Sequence, residues 1–124
     1  MRIFKNKAFS KWAAKEGLGD DVLQTAVNDM ERGLIDADLG GHVVKKRVAL
    51  ASRGKSGGAR TLIAYKVGDK AFFVYGFAKN AKANIKAKEL EGLKAYAAIL
   101  LNYSEKELGK AVKAGVLNEV ESDG

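Results

Sequence analysis

Three consecutive strand-like segments most constrain how this 124-residue chain can fold. Each is rich in β-branched and aromatic residues, and each partly alternates apolar with polar side chains. The segments are HVVKKRVAL (42–50), ARTLIAYKV (59–67) and KAFFVYGFA (70–78). Gly68 and Asp69 separate the last two, and such a two-residue connection is typical of a tight hairpin. Residues 72–75 are apolar on both faces, so the third strand is predicted to be central and covered.

Helical periodicity on both sides of these strands indicates an α+β domain. In four further segments, apolar residues recur at three- and four-residue spacing, bounded by capping residues or glycine. The predicted helices are Asn6 to Glu16, Asp20 to about Gly33, Lys86 to Asn102, and Ser104 to about Ala114. Residues 2–5 and 116–120 are predicted as short strands. We expect one domain over residues 1–124, with an N-terminal helix hairpin, an antiparallel sheet and C-terminal helices.

The positive charge of the chain is concentrated in its middle. The formal net charge is +7, whereas residues 42–94 alone contain thirteen Lys and Arg against three Asp and Glu. This local charge of +10 suggests a polyanionic partner such as nucleic acid, or an acidic protein. A solvated basic face is the alternative interpretation of the same composition.

The cysteine and histidine content, and the lack of a signal-peptide or membrane-spanning pattern, argue against several classes of protein. The chain has no cysteine and one histidine, so disulfides, thiolate metal sites and His-rich metal sites are excluded. Paired carboxylates are absent from the basic middle, which argues against two-metal catalysis, and we expect no cofactor. The first residues lack the apolar run of a signal peptide, and no segment is long enough to span a membrane. We therefore expect a cytoplasmic protein without membrane association.

The segment RGKSGGAR (53–60) has the composition of a phosphate-binding loop but not its pattern. The P-loop pattern requires a glycine at position 49, where this chain has Ala49, and it continues into a helix. The residues after Ser56 are strand-like, so no helix N-terminus would point at a phosphate. We reject a nucleotide loop and expect the three glycines to form a flexible loop between two strands.

Cations on the predicted strands form a candidate anion site. In the first strand, Lys45 and Arg47 should point to one face and Lys46 to the other. Arg60 alternates with apolar residues, so it should be partly sheltered, and a guanidinium is well suited to bidentate phosphate contact. Hairpin pairing places residues near 78 beside residues near 60, so Lys79 and Lys82 should converge with Arg60. Lysines at a solvated strand end are the alternative.

Such a site could cleave RNA without a metal ion. The 2′-hydroxyl of RNA can attack its own phosphate if a base accepts the proton, cations stabilise the phosphorus centre, and an acid protonates the leaving oxygen. His42 is the one histidine, but a histidine at a strand end is more often an ordinary polar residue. Tyr65 and Tyr75 are further candidates, and both are more typical of a core.

Four ordered segments make the chain similar to a known family. KKR at 45–47, GKSGGART at 54–61, FVYGFAKN at 73–80 and ELEGLK at 89–94 resemble segments of the RelE-like toxins of bacterial toxin–antitoxin systems. The closest resemblance is to a HigB-like branch, and it spans residues 3–120. It implies the RelE/ParE fold, with helices packed on a twisted antiparallel sheet. It also implies ribosome-dependent mRNA cleavage that yields a cyclic phosphate, and an antitoxin partner, in this branch usually a helix-turn-helix protein.

The resemblance also implies roles for single residues. The family's arginine and following basic residue correspond to Arg60 and Lys79, which with Lys82 are the candidate catalytic residues. The candidate RNA-binding residues are Lys45, Lys46, Arg47, Arg53 and Lys55. Asn84 and Ile85 stand where the family has a tyrosine, so Lys79 or Lys82 would take the role of the base. A ParE-like toxin that binds gyrase without nuclease activity is one alternative, and a basic nucleic-acid-binding module is another.

Overall fold

A computed structural model describes residues 1–50, 54–78 and 85–121 of the chain. Within these ranges the protein contains six strands and four helices, which confirms the mixed α+β class. The elements in chain order are β1 (Arg2–Asn6), α1 (Lys7–Glu16), α2 (Asp20–Glu31), β2 (Ala37–Asp38), β3 (Val43–Leu50), β4 (Gly54–Lys66), β5 (Lys70–Ala78), α3 (Ala87–Leu101), α4 (Glu105–Lys113) and β6 (Leu117–Glu119).

The strands form a single sheet in the order β2-β3-β4-β5-β1-β6. Most neighbouring pairs are antiparallel, but β1 runs parallel to β5, with Phe4 paired to Phe72. The prediction of an antiparallel sheet is therefore wrong at this pair, and the sheet is mixed, as large sheets commonly are. Residues 2–5 were predicted as a strand from local pattern, which carries no information about a neighbour about seventy residues away.

The prediction that the third strand-like segment is central is confirmed. β5 lies between β4 and β1, and residues 71–74 are buried. The two faces of the sheet contribute to separate apolar clusters, as period-two alternation requires. One cluster contains Phe9 of α1 and Leu23 of α2, and the other contains Leu100 of α3 and Leu108 of α4. The antiparallel arrangement of α1 and α2 stays a prediction.

The glycine-rich segment is part of a strand. β4 begins at Gly54, which pairs with Leu50 of β3, so Gly57 and Gly58 lie within the strand. The expectation of a flexible glycine loop over this segment is wrong for residues 54–58. The glycines permit backbone pairing without side chains to pack, and no helix follows the Gly-Lys-Ser sequence.

The first and last strands are held together by a charged network. The Arg2 side chain donates to both carboxylate oxygens of Glu119, at 2.9 and 3.0 Å, and also to Glu105 at the start of α4. Its guanidinium lies 5.0 Å from the centre of the Phe4 ring. Hydrogen bonding to Arg2 lowers the pKa of Glu119 and raises the pKa of Arg2. This network joins β1, β6 and α4.

Candidate nucleic-acid interface

Two rows of paired residues define a basic face on the sheet. In one row Arg47 of β3 lies opposite Arg60 of β4, which lies opposite Phe77 of β5. In the next row Lys45 pairs with Leu62, and Leu62 with Tyr75. Directly opposite residues on antiparallel strands share a face. We use the name basic face for the surface formed by Lys45, Arg47, Arg60, Tyr75 and Phe77.

Arg47 and Arg60 form a cross-strand pair of like charges. Side chains that are directly opposite in an antiparallel pair have Cβ atoms about 4.5–5.5 Å apart, and like charges there are destabilising. Both arginines line a shallow depression of about 240 Å³ that is completed by Val48, Ala49 and Gly58. The arrangement places two guanidinium groups around one opening, where a phosphate would bring them opposite charge.

The carboxylate of Asp36 accepts two hydrogen bonds from Arg47. Its Nε donates to one oxygen of Asp36 at 3.1 Å, and its backbone N–H donates to the other at 2.6 Å. Asp36 precedes β2, and its own N–H donates to the carbonyl of Lys45 at 2.9 Å. The side chain of Arg47 is nevertheless 65% exposed. Asp36 therefore orients the guanidinium and leaves most of the side chain open to solvent.

Arg60 is half-buried, as its alternation with Leu62 and Ala64 predicted. Within the ranges that the structure describes, neither Arg60 nor Lys45 forms an ion pair with a carboxylate. A half-buried cation with no carboxylate partner among the described residues is unusual, because burial disfavours an unpaired charge. The chemistry that suits this position is recognition of an anion from outside.

A β-bulge turns an aromatic side chain toward the cations. Pairing of β4 with β5 shifts register between Leu62 and Ile63, so Tyr75 pairs with Leu62 while Phe73 pairs with Ile63 on the opposite face. Without this extra residue, Tyr75 would share the face of Phe73. The Tyr75 and Phe77 rings are 5.8 Å apart and inclined by 49°. Phe77 is buried at 6% exposure, and Tyr75 is half-buried against the apolar cluster that contains Leu100. The basic face therefore combines guanidinium groups with one partly exposed aromatic ring, that of Tyr75.

Comparison with known families decides what kind of protein carries this face. The family model described as the RelE toxin of the RelE/RelB toxin–antitoxin system matches residues 1–120. The chain belongs to the RelE toxin family. It is thus a toxin of a toxin–antitoxin system, and its family implies an antitoxin as partner. A search of curated proteins found no match to this RelE-family toxin.

Only part of the predicted site of this RelE-family toxin lies within the described residues. Arg53, Lys79 and Lys82 lie outside them, so their convergence with Arg60 stays a prediction. β5 ends at Ala78, whose partner Ala59 is adjacent to Arg60. Lys55 belongs to the first residues of β4.

Lys46 lies on the other face of the sheet, as strand alternation predicted. Its ammonium donates to the carbonyl of Leu34 at 2.9 Å and lies 3.6 Å from a carboxylate oxygen of Asp29. The side chain is only 13% exposed. The structure therefore does not bring Lys46 together with Lys45 and Arg47, although the sequence placed all three among the RNA-binding candidates.

Two of the candidate proton acceptors lie away from the basic face. His42 has a positive φ of 62° and lies just before β3, five residues from Arg47. At about 3.3 Å per residue, their Cα atoms are about 17 Å apart. Tyr65 packs in the cluster under α1 and α2, where burial, followed by the charge of Glu31, raises its pKa. Its hydroxyl has no hydrogen-bond partner in the described part of the chain.

Tyr75 lies at the edge of the core as well as on the basic face. The expectation of a core residue is met in part, since Tyr75 is half-buried and packs against the cluster that contains Leu62, and the bulge in β5 places it opposite Leu62. The sequence signal that could have revealed this is Gly76, because a glycine inside a strand often marks a bulge or a close backbone approach.

The described residues were also searched for a metal site and for a membrane-spanning helix. No group of three or more His, Cys, Asp or Glu residues among them is placed to hold a metal ion. None of the helices in the described ranges is long and apolar enough to cross a membrane.

Proposed function

We propose that this RelE-family toxin is a ribosome-dependent mRNA endoribonuclease of the HigB-like branch. In this proposal residues 1–124 act as one domain in the cytoplasm, and a helix-turn-helix antitoxin neutralises the activity. The observation that carries the proposal is the pairing of Arg47 with Arg60 across β3 and β4, beside Tyr75 and Phe77.

The arginine pair supports binding of a phosphate. Arg47 and Arg60 lie directly opposite each other, so one bridging phosphodiester would meet both guanidinium groups, and a guanidinium can donate two parallel hydrogen bonds to phosphate oxygens. Lys45 lies on the same face, one row away, and would meet a flanking phosphate. Asp36 keeps the Arg47 guanidinium oriented, so less of its side-chain freedom is lost when RNA binds.

The partly exposed Tyr75 ring supports single-stranded RNA as the ligand. Tyr75 lies one row from Arg60 on the same face, so a nucleotide whose phosphate meets Arg60 would have its base close to this ring, whereas Phe77 is buried. Stacking on aromatic side chains needs a base that is not already stacked in a duplex. An mRNA held open for reading on a ribosome offers such bases.

The chemistry follows from where these charges lie. The 2′-oxygen of the upstream ribose attacks phosphorus and loses its proton to a base, for which Lys79 and Lys82 remain the candidates. A bond from the 2′-oxygen to phosphorus forms, the bond to the 5′-oxygen breaks, and that oxygen takes a proton from an acid. The products are a cyclic 2′,3′-phosphate and a free 5′-hydroxyl. Arg60 would stabilise the additional negative charge on the phosphorus centre.

The decisive experiment places purified toxin on ribosomes that translate a defined mRNA. We expect cuts within the translated region, with cyclic phosphate ends detected by mass spectrometry. The same mRNA with a disabled start codon is the matched control and should stay intact. Intact mRNA in both reactions, together with inhibited DNA gyrase, would replace this proposal by the ParE-like one. Folded protein that arrests neither translation nor supercoiling would leave only a nucleic-acid-binding module.

A further inference from the structure

We propose that the outer face of α1 is a second RNA-binding surface, which contacts the phosphate backbone of ribosomal RNA. We call this surface the α1 lysine stripe and define it as Lys7, Lys11 and Lys15. The choice of ribosomal RNA rests on the proposed function, and the geometry and charge of the stripe are independent of it.

The three lysines form a row on the exposed side of the helix. They recur every four residues and all three are exposed, whereas Phe9 and Ala13 on the opposite side are buried. At about 1.5 Å rise per residue, successive lysines are about 6 Å apart and the row is about 12 Å long. A row of this length matches several consecutive phosphates of one strand rather than a single small anion.

The stripe has no carboxylate partner among residues 1–50, 54–78 and 85–121. Residues 1–15 contain no Asp or Glu, and the first carboxylate of the chain is Glu16. In the described part of the chain no carboxylate lies within ion-pair distance of the three lysines. Nearby lysines are different, since Lys5 pairs with Asp20 and Lys46 lies beside Asp29. The three lysines therefore form a row of like charge along α1 with no acidic residue between them, whereas Glu105 and Glu107 lie among the lysines of α4.

The charges of the three lysines destabilise α1 when no anion is bound. Like charges four residues apart on a helix repel each other, and the stripe contains two such pairs. Lys7 is the first residue of α1, where the helix dipole favours an anion, and the first turn contains no acidic residue. Both effects reverse when a polyanion lies along the helix, because it supplies the opposite charge at every lysine.

The position of α1 decides which RNA can be bound. Phe9 packs against Phe73, with ring centres 5.2 Å apart, on the face of the sheet opposite the basic face. The lysine stripe lies on the far side of α1 from this contact. A single mRNA strand in the basic face cannot also follow the stripe, so the partner is a large structured RNA that surrounds the toxin. The ribosomal RNA around the bound mRNA has this character.

The test compares two triple variants that lose the same charge. Lys7→Ala, Lys11→Ala and Lys15→Ala remove the stripe. Lys106→Ala, Lys110→Ala and Lys113→Ala remove three exposed lysines from α4, where Glu105 and Glu107 are interspersed. Alanine is the best helix former, so both variants should fold, and circular dichroism verifies this. Binding to purified ribosomes without mRNA is measured from low to high salt.

We expect the stripe variant to bind at least tenfold more weakly than wild type at moderate salt. Each phosphate contact contributes about 0.7–0.9 to the slope of log affinity against log salt, so losing three should flatten the slope by about 2–3. The α4 variant should keep the wild-type slope and affinity within about twofold.

Three outcomes overturn the inference, and they are distinguishable from one another. A stripe variant with wild-type affinity and slope, while wild type cleaves mRNA on ribosomes, refutes the stripe and leaves the proposed function standing. A stripe variant that binds ribosomes normally but loses the antitoxin identifies an acidic protein as the partner instead. Wild-type protein that neither binds ribosomes nor cleaves mRNA refutes the proposed function and the choice of RNA with it.

Discussion

The six-membered ring of Trp12 lies directly on the backbone of Gly76. A Cβ atom at Gly76 would overlap three atoms of this ring, so only glycine fits beneath the indole. Gly76 is adjacent to Tyr75 and Phe77, and Trp12 projects from α1. This contact fixes the first helix on β5 at the residue between the two that this strand contributes to the basic face.

The first prediction concerns this contact. Gly76→Ala should destabilise the protein by about 1–3 kcal/mol, because the added methyl group overpacks a filled site. Gly92→Ala is the matched control, since Gly92 lies in α3 with open space around its Cβ position. That change should stabilise by about 0.5–1 kcal/mol. Urea unfolding measures both, and equal effects of the two substitutions would contradict the described packing of Trp12.

Arg60 should be required for cleavage but not for folding. Removing one donor to a developing negative charge typically costs about 10²–10³-fold in rate, so Arg60→Ala should lose that much activity on translating ribosomes. Arg60→Lys should recover only part of it, because an ammonium lacks the bidentate geometry. Arg32→Ala, at an exposed arginine after α2, is the control and should cleave normally. An unfolded Arg60→Ala protein would show instead that the guanidinium is structural.

Lys45 and Lys46 lie on opposite faces of the sheet, so replacing the first should affect RNA binding and replacing the second should affect stability. Lys45→Ala removes a cation from the basic face and should weaken RNA binding, with little change in the free energy of unfolding. Lys46→Ala removes a sheltered hydrogen bond to the Leu34 carbonyl and should destabilise by about 1–2 kcal/mol, with cleavage unchanged after correction for folded protein. Both are measured by RNA-binding titration and urea unfolding. The reverse pattern would place the RNA on the face of the sheet that packs against α1 and α2.

Acid should weaken the protein partly through Arg2 and Glu119. The Arg2 hydrogen bond lowers the folded pKa of Glu119 below the unfolded value of about 4.3. Its contribution to stability is therefore complete above that value and is lost as pH falls through the lower folded pKa. Unfolding free energies from pH 6 to pH 2 should fall less steeply for Arg2→Met than for wild type.

A second carboxylate keeps part of this acid sensitivity in the Arg2→Met protein. Burial opposes the charged form of Asp20, but hydrogen bonds from Lys5 and from the backbone N–H of Glu121 lower its pKa overall. Asp20 therefore also loses its contribution only as pH falls through its lowered folded pKa. An unchanged pH profile in Arg2→Met would show that the Arg2 network does not stabilise the sheet.

Local sequence pattern was sufficient for the four helices and for five of the six strands in the described residues. The helix predicted to begin at Ser104 is present, and Ser104 and Glu107 form a capping box at its start, with hydrogen bonds of 2.8 and 3.1 Å. The central position of β5 followed from its apolar residues on both faces. The neighbour of β1 could not be predicted, because pairing between distant segments leaves no mark in either segment alone. β2 was missed because two residues are too short to show a period.

For the candidate site, the sequence was likewise sufficient to assign residues to the faces of a strand, but not to predict contacts between distant segments. Alternation separated Lys45 and Arg47 from Lys46, and it placed Arg60 beside apolar residues. The contact of Arg47 with Asp36 depends on β2, and the position of Tyr75 depends on a one-residue bulge, so neither could be found by counting along a strand.

The pairing of β1 with β6 also determines at which stage of translation the toxin can complete its fold. Phe4 pairs with Glu119, and Arg2 contacts both Glu105 and Glu119, so one of the two neighbours of the first strand is synthesised near the end of the chain. Closing contacts across more than a hundred residues is slow compared with forming local helices. During synthesis the edge of β1 that pairs with β6 therefore stays unpaired, and the sheet is complete only after residues 117–119 have been added. A nascent chain still lacking them cannot yet have the finished fold.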